Sequence, residues 1–186
     1  RVWERGEPRT TTNTLRINQA YLRYEDGFEI RAGRWLYRDE REWLIDENID
    51  GVLAQFDLSD VRIDAFAGRV GWLPRDIFEP DTRGDRIAYY GVLAQIEPVD
   101  DRFVEGFAIL GDDRAQGGGE QLSLGLRSWG EIAPGTTYWA DAGLSRGQAD
   151  GDDLEGYGLN VGATRLWEDH ALQPRFTLAY AQGSGD

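Results

Sequence analysis

Apolar and polar residues alternate one by one along much of this chain. That is the period of a β-strand whose two faces meet different surroundings. The clearest run is Val61-Arg-Ile-Asp-Ala-Phe-Ala67, with Val61, Ile63, Ala65 and Ala67 on one side and Arg62, Asp64 and Phe66 on the other. From Gln121 to Trp129, Leu122, Leu124 and Leu126 oppose Gln121, Ser123, Gly125 and Arg127. Tyr138, Ala140, Ala142 and Leu144 oppose Trp139, Asp141 and Gly143, and the stretches 157–163 and 176–180 alternate in the same way. The pattern predicts about ten strands, over 14–24, 28–36, 48–57, 60–69, 86–97, 101–111, 120–132, 136–147, 155–167 and 173–183. Most are about twice the usual 5–6 residues of a soluble strand, and match the 9–11 that a tilted strand needs to cross a bilayer.

The connections sort by length. Those after odd strands are short: Glu25-Asp-Gly27, Leu58-Ser59, Pro98-Val-Asp100, Ala133-Pro-Gly135 and Glu168 to Gln173. Those after even strands are longer: Tyr37 to Glu47, Val70 to Asp85, Asp112 to Gly119 and Gln148 to Leu154. Outer-membrane barrels have short periplasmic turns and long extracellular loops, whereas Greek-key sandwiches mix the two. The fold class that follows is all-β, an antiparallel up-and-down transmembrane β-barrel. Gly51-Val-Leu-Ala-Gln-Phe-Asp57 also returns as Gly91-Val-Leu-Ala-Gln-Ile-Glu97, one hairpin pattern used twice.

Composition supports this reading without deciding it. Twenty-four glycines and 22 aromatic residues among 186 suit a β-rich chain with many turns. The mean hydropathy of −0.55 contains no run of about 20 apolar residues, so a membrane helix is excluded while a barrel is not. No cysteine is present, which removes disulfides and thiolate metal sites; every one of the 20 basic residues is arginine. The net charge of −14 argues against a nucleic-acid partner.

If the strands span lipid, the apolar face meets the membrane and the polar face lines a water-filled lumen. An arginine at mid-membrane on the lipid side would cost roughly 2–4 kcal/mol. The lumen candidates are therefore Arg62, Asp64, Gln95, Glu97, Arg127 and Asp141, with Arg31 and Glu29 beside them. Trp35, Trp72, Trp129, Tyr138, Trp139 and Trp167 fall near strand ends and are candidates for interfacial girdles, with packing inside loops the plainer reading of each.

A set of ordered motifs adds to this. Phe28-Glu-Ile-Arg-Ala-Gly-Arg-Trp35 is followed by a charged loop containing Tyr37-Arg-Asp-Glu-Arg41. Asp50-Gly-Val-Leu-Ala-Gln-Phe-Asp57 and Val61-Arg-Ile-Asp-Ala-Phe-Ala-Gly-Arg69 come next, and Phe176-Thr-Leu-Ala-Tyr-Ala-Gln-Gly-Ser-Gly-Asp186 closes the chain. This order resembles the alginate-export porin family of Gram-negative outer membranes. The resemblance implies a barrel of about 18 strands, export of an anionic polyuronate through a lumen lined with basic residues, and possible periplasmic secretion partners. Arg34 and Arg69 match the family's two Gly-Arg positions and join the selectivity candidates, although strict alternation puts Arg34 on the face of Phe28, Ile30 and Ala32. Residues 1–186 then form one barrel segment, truncated on its C-terminal side, because no aromatic closing strand follows Gly183. Ten strands without closure would leave two bare edges and make no stable pore alone.

Other chemistry is thin. His170, the only histidine, lies in a turn with no serine in a nucleophile context, so neither catalysis nor a cofactor is predicted. Asp150-Gly-Asp-Asp153 lacks the spacing and final glutamate of an EF-hand; a surface cation site and a solvated acidic turn both stay open. Gly117-Gly-Gly119 has no Gly-Lys-Ser/Thr after it and is no phosphate loop. Three functions are weighed: a pore for anionic polysaccharide, a porin for sugars or small organic ions, and a soluble all-β binding domain.

Overall fold

The computed structural model describes residues 17–38, 45–71, 87–114, 118–149 and 151–184. They form one sheet of ten strands: β1 (Ala20–Glu25), β2 (Phe28–Arg38), β3 (Asp46–Leu58), β4 (Val61–Val70), β5 (Ile87–Val99), β6 (Arg102–Asp113), β7 (Glu120–Ala133), β8 (Thr136–Ala149), β9 (Asp152–Leu166) and β10 (Arg175–Gly183). Each strand pairs antiparallel with the next in sequence, so the sheet order is the chain order. There is no helix among the described residues, and none long and apolar enough to cross a membrane. This is the expected up-and-down all-β architecture, and it follows from the alternation: every second residue has the same surroundings, so a one-residue slip of any hairpin would turn apolar side chains to the polar face.

The faces divide cleanly by the register. One carries Leu22, Phe56, Val92, Leu124, Leu126, Leu144 and Leu178, all exposed. The other carries a packed cluster of Trp35, Ile49, Leu53, Phe66, Leu93, Phe107 and Ile109, with Tyr37 and Tyr89 against it. The Tyr37 and Phe66 rings, two strands apart, meet with centroids 4.5 Å from each other. The sheet therefore bends toward this second, inner face, and leaves a broad apolar outer surface. A soluble domain does not leave so much contiguous apolar surface in water, which removes the soluble binding-domain reading.

Tight turns set the register at one end. Asp26-Gly27, Ser59-Asp60, Asp100-Asp101 and Pro134-Gly135 are two-residue connections, each with one residue of positive φ (Gly27 67°, Ser59 50°, Asp101 59°, Gly135 69°). Two of them share a device. The strands before them shift register at Ile96/Val99 and Glu131/Ala133. The acid at each shift, Glu97 or Glu131, accepts the backbone N–H of Asp101 or Gly135, at 2.8 and 2.7 Å.

Three expectations need correction. Strand β1 begins at Ala20; residues 17–19 lie outside it, and 14–16 fall outside the described residues. The connection between β8 and β9 is not long, because β9 starts at Asp152, with Gln148 paired to Asp153 and Arg146 to Glu155. The β9–β10 connection, expected among the short ones, is the longer of the two, with Pro174 its last residue before β10. In it His170 Nδ1 accepts the Leu172 N–H at 3.1 Å, a turn-forming role. The sorting of loops by length thus holds through β7 and reverses after it. Asp152, Asp153 and Glu155, acids that signal a loop, lie in the exposed start of β9, and Asp150 falls outside the described residues.

Candidate functional site: a polar row on the inner wall

Cross-strand neighbours on one face of a sheet form rows perpendicular to the strands. One row on the inner face is polar through seven strands. It runs Asp57↔Arg62 between β3 and β4, Arg62↔Gln95 to β5, Gln95↔Glu105 to β6, Glu105↔Arg127 to β7, Arg127↔Asp141 to β8 and Asp141↔Asn160 to β9. Six hairpin registers had to agree for these side chains to fall in line.

The centre of the row is closed. Arg127 lies between two carboxylates, with Nη1 3.4 Å from Glu105 Oε1 and Nε 3.4 Å from Asp141 Oδ1. Asn160 donates to the other Asp141 oxygen at 3.4 Å and accepts from Trp139 Nε1 at 3.2 Å. The side chains of Arg127 and Asp141 are 5% and 0% exposed. Buried charges persist only when paired and hydrogen-bonded, and this set supplies both.

The β1–β4 side of the wall is open by contrast. Arg62 Nε contacts Asp64 Oδ1 at 3.3 Å, and its side chain is 48% exposed. Arg31 pairs with Glu29 and reaches Gln55 Oε1 at 3.5 Å, with its guanidinium 5.7 Å from the Tyr21 ring. Glu29 also accepts from Arg23 Nε at 2.7 Å. Arg31 and Arg62 border an inner-face cleft of about 340 Å³.

The candidates from sequence thus separate. Arg31, Arg62, Asp64, Gln95, Arg127 and Asp141 share the inner face, and all but Arg31 and Asp64 stand in the polar row. Glu97 sits at the turn and caps it. Arg34 and Arg69 do not line this wall. The register places both on the opposite face, each across from Asp50. Arg34 binds Asp50 in a two-pronged pair at 2.6 and 2.7 Å, and donates to the Ile17 carbonyl at 3.2 Å. Arg34 and Asp50 are each 2% exposed, so the pair is a buried clamp between strands. The girdle expectation also changes. Trp35, Trp129 and Trp139 point inward by the register; Trp139 lies over Gly162, where a Cβ would meet the indole at 2.2 Å. Tyr138 stays on the outer face, sharing a hydrogen bond with Ser128 at 2.8 Å, Trp167 is exposed, and Trp72 falls outside the described residues.

Glu105, Asn160 and Trp35 were not among the predicted site residues. Glu105 carried no signal, because Phe103, Phe107 and Ile109 on its own face are as apolar as Val104, Ala108 and Leu110 opposite. Among the described residues no three acids or histidines gather as a metal site; Asp152 and Asp153 open a strand instead.

An apolar surface turned outward, a polar row turned inward and strands long enough to cross lipid define the wall of an outer-membrane β-barrel. The family model for alginate export matches residues 5–186, and the chain belongs to that family. Among solved structures it is similar to a loop-L8 deletion mutant of OmpT, an outer membrane protein of Vibrio cholerae. That similarity has a TM-score of 0.58 at 14% identity, and covers 88% of this chain and 57% of that one. It concerns the fold alone, and the chain spans a little over half of that protein. No curated protein matches the sequence. Family and fold together place the protein in the bacterial outer membrane.

Proposed function

We propose that the protein passes an acidic polysaccharide of the polyuronate kind across the outer membrane, with this chain forming part of the conduit wall. The observation that carries the reading is the open arginine of the inner row. Arg62 is half exposed on a wall whose family is one of alginate export. Arg31 stands two strands away on the same face. Both can meet a passing carboxylate, whereas Arg127 is held between its own acids and serves the wall. On this reading the protein acts by passage rather than by reaction. We also propose that further strands complete the barrel. Among the described residues β1 and β10 each have one neighbour, and bare strand edges are untenable in lipid.

One observation favours a second reading, a pore for small solutes. Within the polar row Asp57, Glu105 and Asp141 offset Arg62 and Arg127, so this wall is not a strongly basic track. Single-channel conductance of the full-length protein in a planar bilayer separates the two. Anion-selective current blocked by low concentrations of polyuronate, with the block weakened by Arg62→Gln, is the expected result. Unblocked or cation-selective current overturns the polysaccharide reading in favour of the second.

A further inference from the structure

We infer that the outer wall carries a seat for one phosphorylated lipid of the outer leaflet, with its phosphate on Arg69 and an acyl chain in the apolar groove below it on β4.

Arg69, Ala67 and Ala65 are successive outward positions of β4. Val52 on β3 stands on one side of them, and Tyr90 and Val92 on β5 stand on the other. Small side chains between larger neighbours leave a groove of about 460 Å³, which reaches Ala108 on β6. Its size is within the range of small-molecule sites, and its side chains are apolar apart from the Tyr90 hydroxyl. The groove opens on the hydrocarbon of the membrane, so its occupant is an acyl chain.

The independent pointer is charge. Arg69 lies one outward position above Ala67, about 7 Å along the strand, next to the end of β4. That end of the sheet carries the longer connections β2–β3, β4–β5 and β6–β7, which marks it as the cell-surface end. Asp50 and Asp112 flank Arg69 in its outward row, and each is engaged by another arginine. Arg34 holds Asp50 with two contacts, at 2.6 and 2.7 Å, and Arg114 holds Asp112 at 2.6 Å. Arg69 is half-buried and, among the described residues, has no hydrogen-bond or ion-pair partner. Three arginines against two carboxylates leave one positive charge over, on a chain whose net charge is −14. A cation on the lipid face is tolerated only toward the interface, and a phosphorylated headgroup supplies its counter-charge there. Phosphate also matches the two parallel N–H donors of an arginine. Tyr90, 44% exposed, adds a hydroxyl donor and an amphipathic ring suited to the headgroup level.

The test is native mass spectrometry of the full-length protein, stripped of lipid in detergent and titrated with hexa-acyl lipid A carrying its phosphates. One lipid should bind saturably, with the dephosphorylated lipid about tenfold weaker. Arg69→Gln should weaken binding about tenfold, and Ala67→Phe, which fills the groove, about fourfold. Arg146→Gln, which removes an exposed outer-face arginine already paired with Glu155 at 2.6 Å, should leave it unchanged. Equal binding of the two lipids, or an unchanged affinity in Arg69→Gln, overturns the phosphate seat. An unchanged affinity in Ala67→Phe overturns the groove. Displacement of lipid A by inorganic phosphate at equal concentration reduces the seat to a simple anion site and overturns its assignment to a lipid. A protein dimer that excludes lipid and is lost in Ala67→Phe gives the groove to a second copy of the chain instead. Ala67 is exposed, so a larger side chain there meets lipid and not the core, and the comparison of the two lipids uses the unaltered protein.

Discussion

Replacing Arg127 by glutamine tests whether the polar row holds the wall together. Each contact of Arg127, at 3.4 Å, is worth roughly 5 kcal/mol in Coulomb energy at an effective dielectric near 20. Desolvating three ions returns most of that, so the intact triad is close to neutral in net stability. Removal of one partner is a different matter. Glutamine keeps a hydrogen-bond donor but no charge, leaving Glu105 and Asp141, at 12% and 0% side-chain exposure, as two carboxylates without their shared cation. Breaking a buried pair in this way costs about 3–5 kcal/mol. Asp141→Asn should cost less, about 1–2 kcal/mol, because the amide oxygen still accepts from Asn160 and Glu105 still balances the arginine. The assay is equilibrium urea unfolding of the full-length protein in lipid vesicles, followed by tryptophan fluorescence. An Arg127→Gln protein within about 0.5 kcal/mol of the parent would refute the argument, since that is the scatter of ordinary surface substitutions.

Three further outcomes follow from the two faces. Leu126→Arg, in the middle of β7 on the outer face, should destabilise the folded barrel by about 2–4 kcal/mol in the same assay, while Ala181→Arg on the inner face of β10 stays within about 0.5 kcal/mol. Gly125→Ala should cost about 1–3 kcal/mol, read as a lower urea midpoint, because its Cβ would lie 2.4 Å from both the Phe107 ring and the Ala142 carbonyl oxygen. Single cysteines at neighbouring positions should react oppositely in this cysteine-free sequence: Ser145→Cys labels with a charged, water-soluble thiol reagent in intact outer membranes, and Leu144→Cys does not. Equal labelling of the two would mean that the faces are wrongly assigned.

Much of the fold was legible because a strand with one face in lipid must alternate. Val61 to Ala67 alone gives the start of β4 and its two faces. Strand starts within β2 to β8 came out close for the same reason: Gly, Pro and Asp at turns stop the alternation. Legibility failed where a residue type had two physical uses. Asp152 and Asp153 have the look of a loop, but a strand that continues past the membrane into water tolerates acids, and Gln148 binds Asp153 across the hairpin at 2.9 Å. Tryptophans near strand ends suit a lipid interface, yet the same size and shape fill an inner face floored by glycine, as Trp139 does over Gly162. At the site, Arg62, Gln95, Arg127 and Asp141 were legible one by one. Their alignment into a single row was not, because it depends on the register of every intervening hairpin. Arg34 showed the value of taking alternation literally: the period alone put it on the outer face, and its partner Asp50 is what makes that position tolerable.

The row has a consequence for what a moving solute meets. Strands in such barrels tilt by about 35–45°, so a line drawn perpendicular to them climbs the wall as a ramp instead of circling it as a level hoop. With strands about 4.8 Å apart, the six steps from Asp57 on β3 to Asn160 on β9 cover roughly 29 Å along the row and rise roughly 18 Å in depth. Arg62 and Arg127, three strands apart, therefore stand at levels separated by roughly 9 Å. On the proposed function, a threaded chain would pass these positions one after another, like the turns of a screw, and a bias along its axis could come from their order even where their charges sum close to zero.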